Sequence, residues 1–337
     1  MKALLCSEYG PPDKLAVHDI PSPQAGPGQV VVDVKAAALN FPDALMVQGL
    51  YQVKPPLPFS PGAEVAGLIR EVGEGVQGLK AGDRVIGFPG TGGFAEECTV
   101  AAEKIMPLPE NMDFASGAAL VLTFGTSLHA LQDCGRLQAG ETLLVLGAAG
   151  GVGAAAVEIG KAMGARVIAA ASSEDKLALC RQLGADETIN YTTEDLRKRT
   201  LALTGEKGVD VVYDPVGGGY TESALRAMAW RGRLLIVGFA AGEIPKIPLN
   251  LALLKERQLL GVYWGDSVRQ DPRGHVKNMK QLMAWFAEKK INPVVSEQFP
   301  LARGLDTLRA LPPRHAVVGN DVLAQRAPLP ARPLPRR

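Results

Sequence analysis

The chain has 337 residues, 47% of them hydrophobic and 21% charged, with a formal net charge of +1. That length suits about two domains, and the near-neutral balance gives no electrostatic case for nucleic acid or an anionic membrane, both of which want a basic face. The opening MKALLCSEYG reaches Glu, Tyr and Gly too early for a secretion signal, and no apolar run lasts for a membrane span. The four cysteines, Cys6, Cys98, Cys134 and Cys180, form no CxxC pair, which argues against a zinc lobe or disulfide scaffold and for a soluble, cytoplasmic protein.

Residues 1–120 are rich in Pro and Gly and carry short β-like runs at Val30 to Lys35, Ala63 to Val72, Arg84 to Phe88 and Ala95 to Val100. Short strands divided by turn signals predict a compact β domain. From Ala115 to Cys134 the pattern is helical, and it leads into residues 121–265, where strands and helices alternate. The expected strands are Thr142 to Leu146, Arg166 to Ala171, Thr188 to Asn190, Val209 to Tyr213, Arg233 to Val237 and Leu259 to Trp264. The expected helices are Asp175 to Leu183, Thr193 to Leu203 with Thr192 as cap, and Glu222 to Trp230. Such alternation predicts an α/β, doubly wound parallel sheet. Val276 to Lys290 reads as an amphipathic helix and Ala302 to Leu311 as another, within a segment 266–325 expected to return to the first domain. Residues 326–337, RAPLPARPLPRR, read as a disordered tail.

The stretch from Glu141 to Gly164, ETLLVLGAAGGVGAAAVEIGKAMG, is a strand, a tight glycine-rich turn and a helix. Gly150 and Gly153 fit the second and third places of a G-x-G-x-x-G dinucleotide fingerprint, with Ala148 at the first. A helix beginning near Val152, with Gly151 before it, offers unpaired N–H donors to a pyrophosphate. An acidic residue about twenty positions after the turn would hold the ribose diol of NAD. Here Ala171, Ser172 and Ser173 occupy that stretch and Lys176 follows, which favours the 2′-phosphate of NADPH. The serines also suit a cap for the helix near Asp175, and both roles can hold together.

With Asn40-Phe41-Pro42-Asp43, PGAEVAG at 61–67, VGEGV at 72–76, GDRV at 82–85 and AAGGVG at 148–153, the chain resembles the medium-chain dehydrogenase/reductase superfamily. Within it the sequence is similar to the zinc-free NADPH:quinone oxidoreductase, or zeta-crystallin-like, branch. The resemblance implies a GroES-like, β-rich catalytic domain, a Rossmann domain and an active site in the cleft between them. It places Asn40, Asp43 and Tyr51 at the substrate end and Thr126 near the nicotinamide ribose. Tyr191 falls beside the adenosine phosphate with Lys176, while Gly238-Phe239 and a strand through Val262, Tyr263 and Trp264 run along the nicotinamide. It also implies a homodimer joined at the Rossmann sheet edge, where Tyr263 and Trp264 could instead fill the contact. Many relatives carry Gly-Lys near the C-terminus where this chain has Gly319-Asn320, and some carry Tyr where it has Leu45.

Zinc-dependent relatives carry a Cys and a Gly-His-Glu where this chain has Asn40 and Gly62-Ala63-Glu64. Neither an amide nor a methyl group supplies the thiolate and imidazole of such a site, so no metal is expected. Reduction of a quinone by hydride suits this residue set; reduction of an activated C=C bond beside a carbonyl is the alternative, and a catalytically silent NADPH-binding structural or RNA-binding protein a third.

Overall fold

In the computed structural model, which describes residues 1–310 and 320–324, the chain divides into two units. One holds Met1–Ala119 with residues 295–310 and 320–324; the other holds Leu120–Val294. The expected tail at 326–337 and Gly319 lie outside the described residues.

The first unit starts with an antiparallel pair, β1 (Lys2–Leu5) and β2 (Ala16–Asp19). Its spine is β3 (Gln29–Leu39), where the β-branched run Val30, Val31, Val32 and Val34 is buried. A helix α1 (Phe41–Val47) follows directly, then β4 (Val65–Val72), β5 (Arg84–Gly87), β6 (Glu97–Ala101), β7 (Ile105–Pro107) and α2 (Phe114–Ala118). On one side β3 pairs antiparallel with β4, and on the other Gln29 to Asp33 pair antiparallel with β6 while Ala36 to Leu39 pair with a C-terminal strand, so the strand is flanked on both sides and most of it is buried.

The second unit opens with α3 (Val121–Leu128), which runs on into a π-helical turn, His129–Cys134. Strand β8 (Thr142–Leu146) leads to α4 (Gly151–Ala162), then β9 (Arg166–Ala171), α5 (Glu174–Gln182), β10 (Glu187–Asn190) and α6 (Leu196–Leu203). The second half is β11 (Val209–Asp214), α7 (Gly219–Arg226), β12 (Met228–Ile236), α8 (Asn250–Leu253), β13 (Gln258–Gly261), α9 (Trp264–Gln270) and α10 (Pro272–Ala287). The sheet order is β10-β9-β8-β11-β12-β13 with every pairing parallel. The order reverses between β8 and β11, and at such a switch point the strand ends open a crevice for a ligand. Leu143, Leu144, Val145 and Leu146 are fully buried, as a central parallel strand covered on both faces requires.

Several expected boundaries move. Asp195, not Thr192, caps α6 by accepting the Lys198 N–H at 2.9 Å, while Thr192 turns its hydroxyl to Asn190. Residues 228–230 belong to β12 rather than to the preceding helix, because the ladder to β11 captures Met228 opposite Val209. Strand β13 ends at Gly261, so Trp264 begins a helix. Helix α10 starts at Pro272, capped by Asp271 accepting from Gly274 N–H at 2.9 Å. Residues 266–294, expected with the C-terminal return, fall in the second unit; Asn278 of α10 bonds Asp133 and Gln132 of the π-helical turn.

The remaining described elements complete the first unit's sheet. They are β14 (Val295–Phe299), α11 (Gly304–Ala310) and β15 (Asn320–Ala324), with β15 between β14 and β3. Among the described residues no helix is long and apolar enough to cross a membrane.

Candidate active site

The turn between β8 and α4 has its shape dictated by two glycines. Gly147 adopts φ +57°, and a Cβ on Gly153 would fall 2.3 Å from the Gly147 carbonyl oxygen. The position that needs a left-handed residue is therefore 147; Ala148, expected at the first fingerprint place, is buried and follows it. Gly150 is the N-cap of α4. Gly151, Val152 and Gly153 form the helix's first turn, where backbone N–H groups lack intrahelical acceptors and the helix dipole favours an anion. The bare cradle at 153 and this helix start fit the pyrophosphate of a dinucleotide.

A second cluster stands at the end of the neighbouring strand β9. Lys176 Nζ, from the first turn of α5, donates to Ser172 Oγ at 3.1 Å. The Tyr191 side chain also bonds Ser172, and its ring lies 4.5 Å from that of Tyr220. Burial lowers the Lys176 pKa, and among the described residues no carboxylate comes within ion-pair distance of its ammonium. Glu174 is instead turned to Arg181. Ser173 is the N-cap residue of α5, yet its hydroxyl makes no capping bond. Ser172, Ser173, Lys176 and Tyr191 thus come together, with a partly desolvated cation that an anion would complete.

Across the switch point, two features escaped sequence reading. Asp214, at the end of β11 and 2% exposed, accepts the Val216 and Gly217 N–H groups at 2.9 Å each on Oδ1 and the Thr221 hydroxyl on Oδ2. It fixes the glycine-rich loop 215–219, whose run Gly217-Gly218-Gly219 was the available signal. Ser127 donates to the Val152 carbonyl at 2.8 Å and meets the Tyr213 hydroxyl at 2.9 Å, tying α3 to the start of α4. Its neighbour Thr126 is half-buried. Gly238 N–H reaches the Asp214 carbonyl at 3.3 Å, which folds the Gly238-Phe239 turn back onto the β11 end.

The expected strand through Val262, Tyr263 and Trp264 is corrected. Val262 keeps one strand-like bond, its N–H to the Ile236 carbonyl at 3.0 Å. Tyr263 is the half-exposed N-cap of α9, and Trp264 is buried, its indole filling the space left by the missing side chain of Gly125 and meeting the His275 ring edge-on.

In the first unit, Asn40 caps α1 and is 6% exposed. Its amide Nδ2 donates to Glu64 Oε1 at 2.8 Å. Asp43 accepts the Asn40 N–H on one oxygen at 2.9 Å and the Gly62 N–H on the other at 3.1 Å. It is 1% exposed, and that burial pushes its pKa up to about 7. Both carboxylate oxygens of Asp43 accept backbone N–H groups, and the side chain holds the start of α1 and the Gly62 loop in place. Tyr51 lies half-buried in a bend after α1. Asn320 opens β15, and its side chain lies outside the described residues.

Residues 26–110 match the family model described as alcohol dehydrogenase GroES-like domain, and residues 151–288 match zinc-binding dehydrogenase. Quinone oxidoreductase-like protein 2 of Bos taurus is 38% identical over 301 residues, covering 89% of this chain and 86% of that protein. The Escherichia coli quinone oxidoreductase solved in complex with NADPH superposes with a TM-score of 0.88 at 28% identity, covering 96% of this chain and 100% of that one. The CurK enoyl reductase superposes with a TM-score of 0.85 at 27% identity, covering 96% and 98%.

Proposed function

Because the chain belongs to the medium-chain dehydrogenase/reductase superfamily, in its quinone oxidoreductase branch, we propose that it is an NADPH-dependent oxidoreductase whose acceptor is a quinone. The observation that carries the cofactor assignment is the Ser172–Lys176–Tyr191 cluster at the end of β9, next to the glycine turn after β8. When bound, NADPH supplies a hydride to the acceptor.

The chain's own residues bind and orient. The first turn of α4 and the cradle at Gly153 receive the pyrophosphate, and Lys176 with the two serines receives the 2′-phosphate. Asn320 in place of the branch's usual lysine removes one cation and weakens phosphate affinity. Thr126, Phe239 and Val262 flank the nicotinamide half. Asn40 and Tyr51 face the acceptor, and Asp43 is a positioning residue. The residue set also supports turnover without zinc, since Asn40 is committed through its amide to Glu64 and residue 63 is alanine. A quinone suits such a set because its reduced oxyanion is stabilised by its own ring and needs no Lewis acid.

The CurK likeness favours a second reading, reduction of a C=C bond conjugated to a carbonyl, in which carbon must also be protonated. The β13 edge, unpaired on its outer side among the described residues, and the exposed Leu249, Leu253 and Leu254 just before it in the chain support a homodimer, which sedimentation would report as twice the chain mass. The four free cysteines suit a reducing cytoplasm. Titration of the purified chain with NADPH and with NADH tests the cofactor assignment: tighter NADPH binding supports it, and equal or tighter NADH binding refutes it.

A further inference from the structure

The π-helical turn after α3 builds a second constellation, on residues that the oxidoreductase reading leaves unused. His129 Nδ1 lies 2.8 Å from Asp133 Oδ2, and His129 Nε2 lies 3.5 Å from Cys134 Sγ. Asp133 Oδ2 also accepts Asn278 Nδ2 at 2.8 Å, and Gln132 Nε2 donates to Asn278 Oδ1 at 2.9 Å. The carboxylate is thereby held from α10 as well as from its own turn. In an α-helix, residue i+5 would stand about 140° around from residue i. The wider π turn brings positions four and five onward back to either side of the first, so one imidazole meets both the carboxylate and the thiol.

The order of contacts is that of an activated nucleophile: a thiol at a base, and the base oriented by a third group. With Asp133 on Nδ1, the neutral imidazole carries its proton there and leaves Nε2 to take the thiol proton. The Asp133 hydrogen bond and the Cys134 sulfur push the His129 pKa up to about 9, so the protonated ring is well supported. Cys134 is half-buried, whereas Cys6, Cys98 and Cys180 are buried.

We propose that Cys134 is a nucleophilic thiol, activated by His129 and Asp133, that forms a covalent adduct with alkenes conjugated to a carbonyl. Sγ adds to the β-carbon: a sulfur–carbon bond forms, the C=C π bond opens, and its electron pair moves towards the carbonyl. The thiol proton passes by way of His129 Nε2 to the α-carbon. No oxidant or reductant enters, and the proposal does not rest on the hydride-transfer reading.

The test is limiting N-ethylmaleimide on the full chain at neutral pH, with peptide mass spectrometry following all four cysteines. Cys134 should be modified first, about tenfold faster than the same cysteine in the urea-unfolded chain. His129→Asn should cut that rate about tenfold and Asp133→Asn severalfold, with circular dichroism confirming that both variants are folded. Asp133→Asn keeps the imidazole and so remains informative if His129→Asn fails to fold. Wild-type rates in the folded variants, or faster modification of Cys6, Cys98 or Cys180, would overturn the proposal.

Discussion

Lys176 Nζ stands 3.1 Å from Ser172 Oγ, the one hydrogen-bond partner of this partly buried ammonium among the described residues. The arrangement leaves donors for a phosphate on the ribose. Lys176→Ala should raise the NADPH dissociation constant about tenfold or more, the worth of a charge-assisted hydrogen bond of roughly 1.5–3 kcal/mol. NADH binding should change little, and equal loss for both nucleotides would remove the phosphate role. Fluorescence titration of variant and parent measures both constants.

Gly153→Ala should damage the nucleotide turn, since its Cβ would fall 2.3 Å from the Gly147 carbonyl oxygen and only backbone movement can relieve that. Loss of both NADPH binding and thermal stability is expected. Gly219→Ala adds a methyl group with no atom within 4 Å and serves as the control. Parallel melting curves and titrations compare the two; unchanged behaviour of the Gly153 variant would mean the turn is not held as described.

Glu158 gives a pH signature. It is 7% exposed on α4, Oε1 accepts the Asn292 N–H at 2.8 Å, and Oε2 is buried without a hydrogen-bond partner among the described residues. Desolvation raises its pKa from an ordinary 4.5 to about 8. A raised carboxyl pKa means the folded state holds the proton more tightly, so its contribution to stability is full below about 4.5 and is lost as pH rises to about 8. Glu158→Gln keeps the acceptor oxygen and removes the ionisation, so its stability should fall less between pH 5 and pH 9. Urea unfolding across that range measures the slopes, and identical slopes would contradict the burial argument.

Asn40→Ala removes the Nδ2 donor from Glu64, whose side chain is fully buried. A cost of about 1–3 kcal/mol is expected from weakening the satisfaction of a buried carboxylate. Urea denaturation reads that cost, and a neutral result would make the Asn40–Glu64 bond incidental.

The periodic parts of this fold were legible in the sequence. Thr142–Leu146 and Arg166–Ala171 have the bounds their apolar runs imply, because a strand buried on both faces permits little else. Where two elements compete for the same residues, local pattern misleads. Met228 to Trp230 continue a helical pattern but are taken by the ladder to β11, and Trp264 leaves the strand to pack on Gly125. In the candidate site, the residue types at 150, 153, 172 and 176 were readable from spacing. The role of Asp43 was not, since it depends on the Gly62 backbone arriving from nineteen residues away. The fingerprint spacing points to Ala148 and not to Gly147, because only the backbone angle shows which residue turns left-handed.

The proposed NADPH-dependent reduction of a quinone is tested most directly by the initial rate of NADPH oxidation by the purified protein in the presence of a metal chelator. A 1,4-quinone and a short enone are compared at equal concentration. Faster turnover of the quinone, undiminished by the chelator, is the expected result. A large excess of enone turnover, or activity that appears only when zinc is restored, would contradict it.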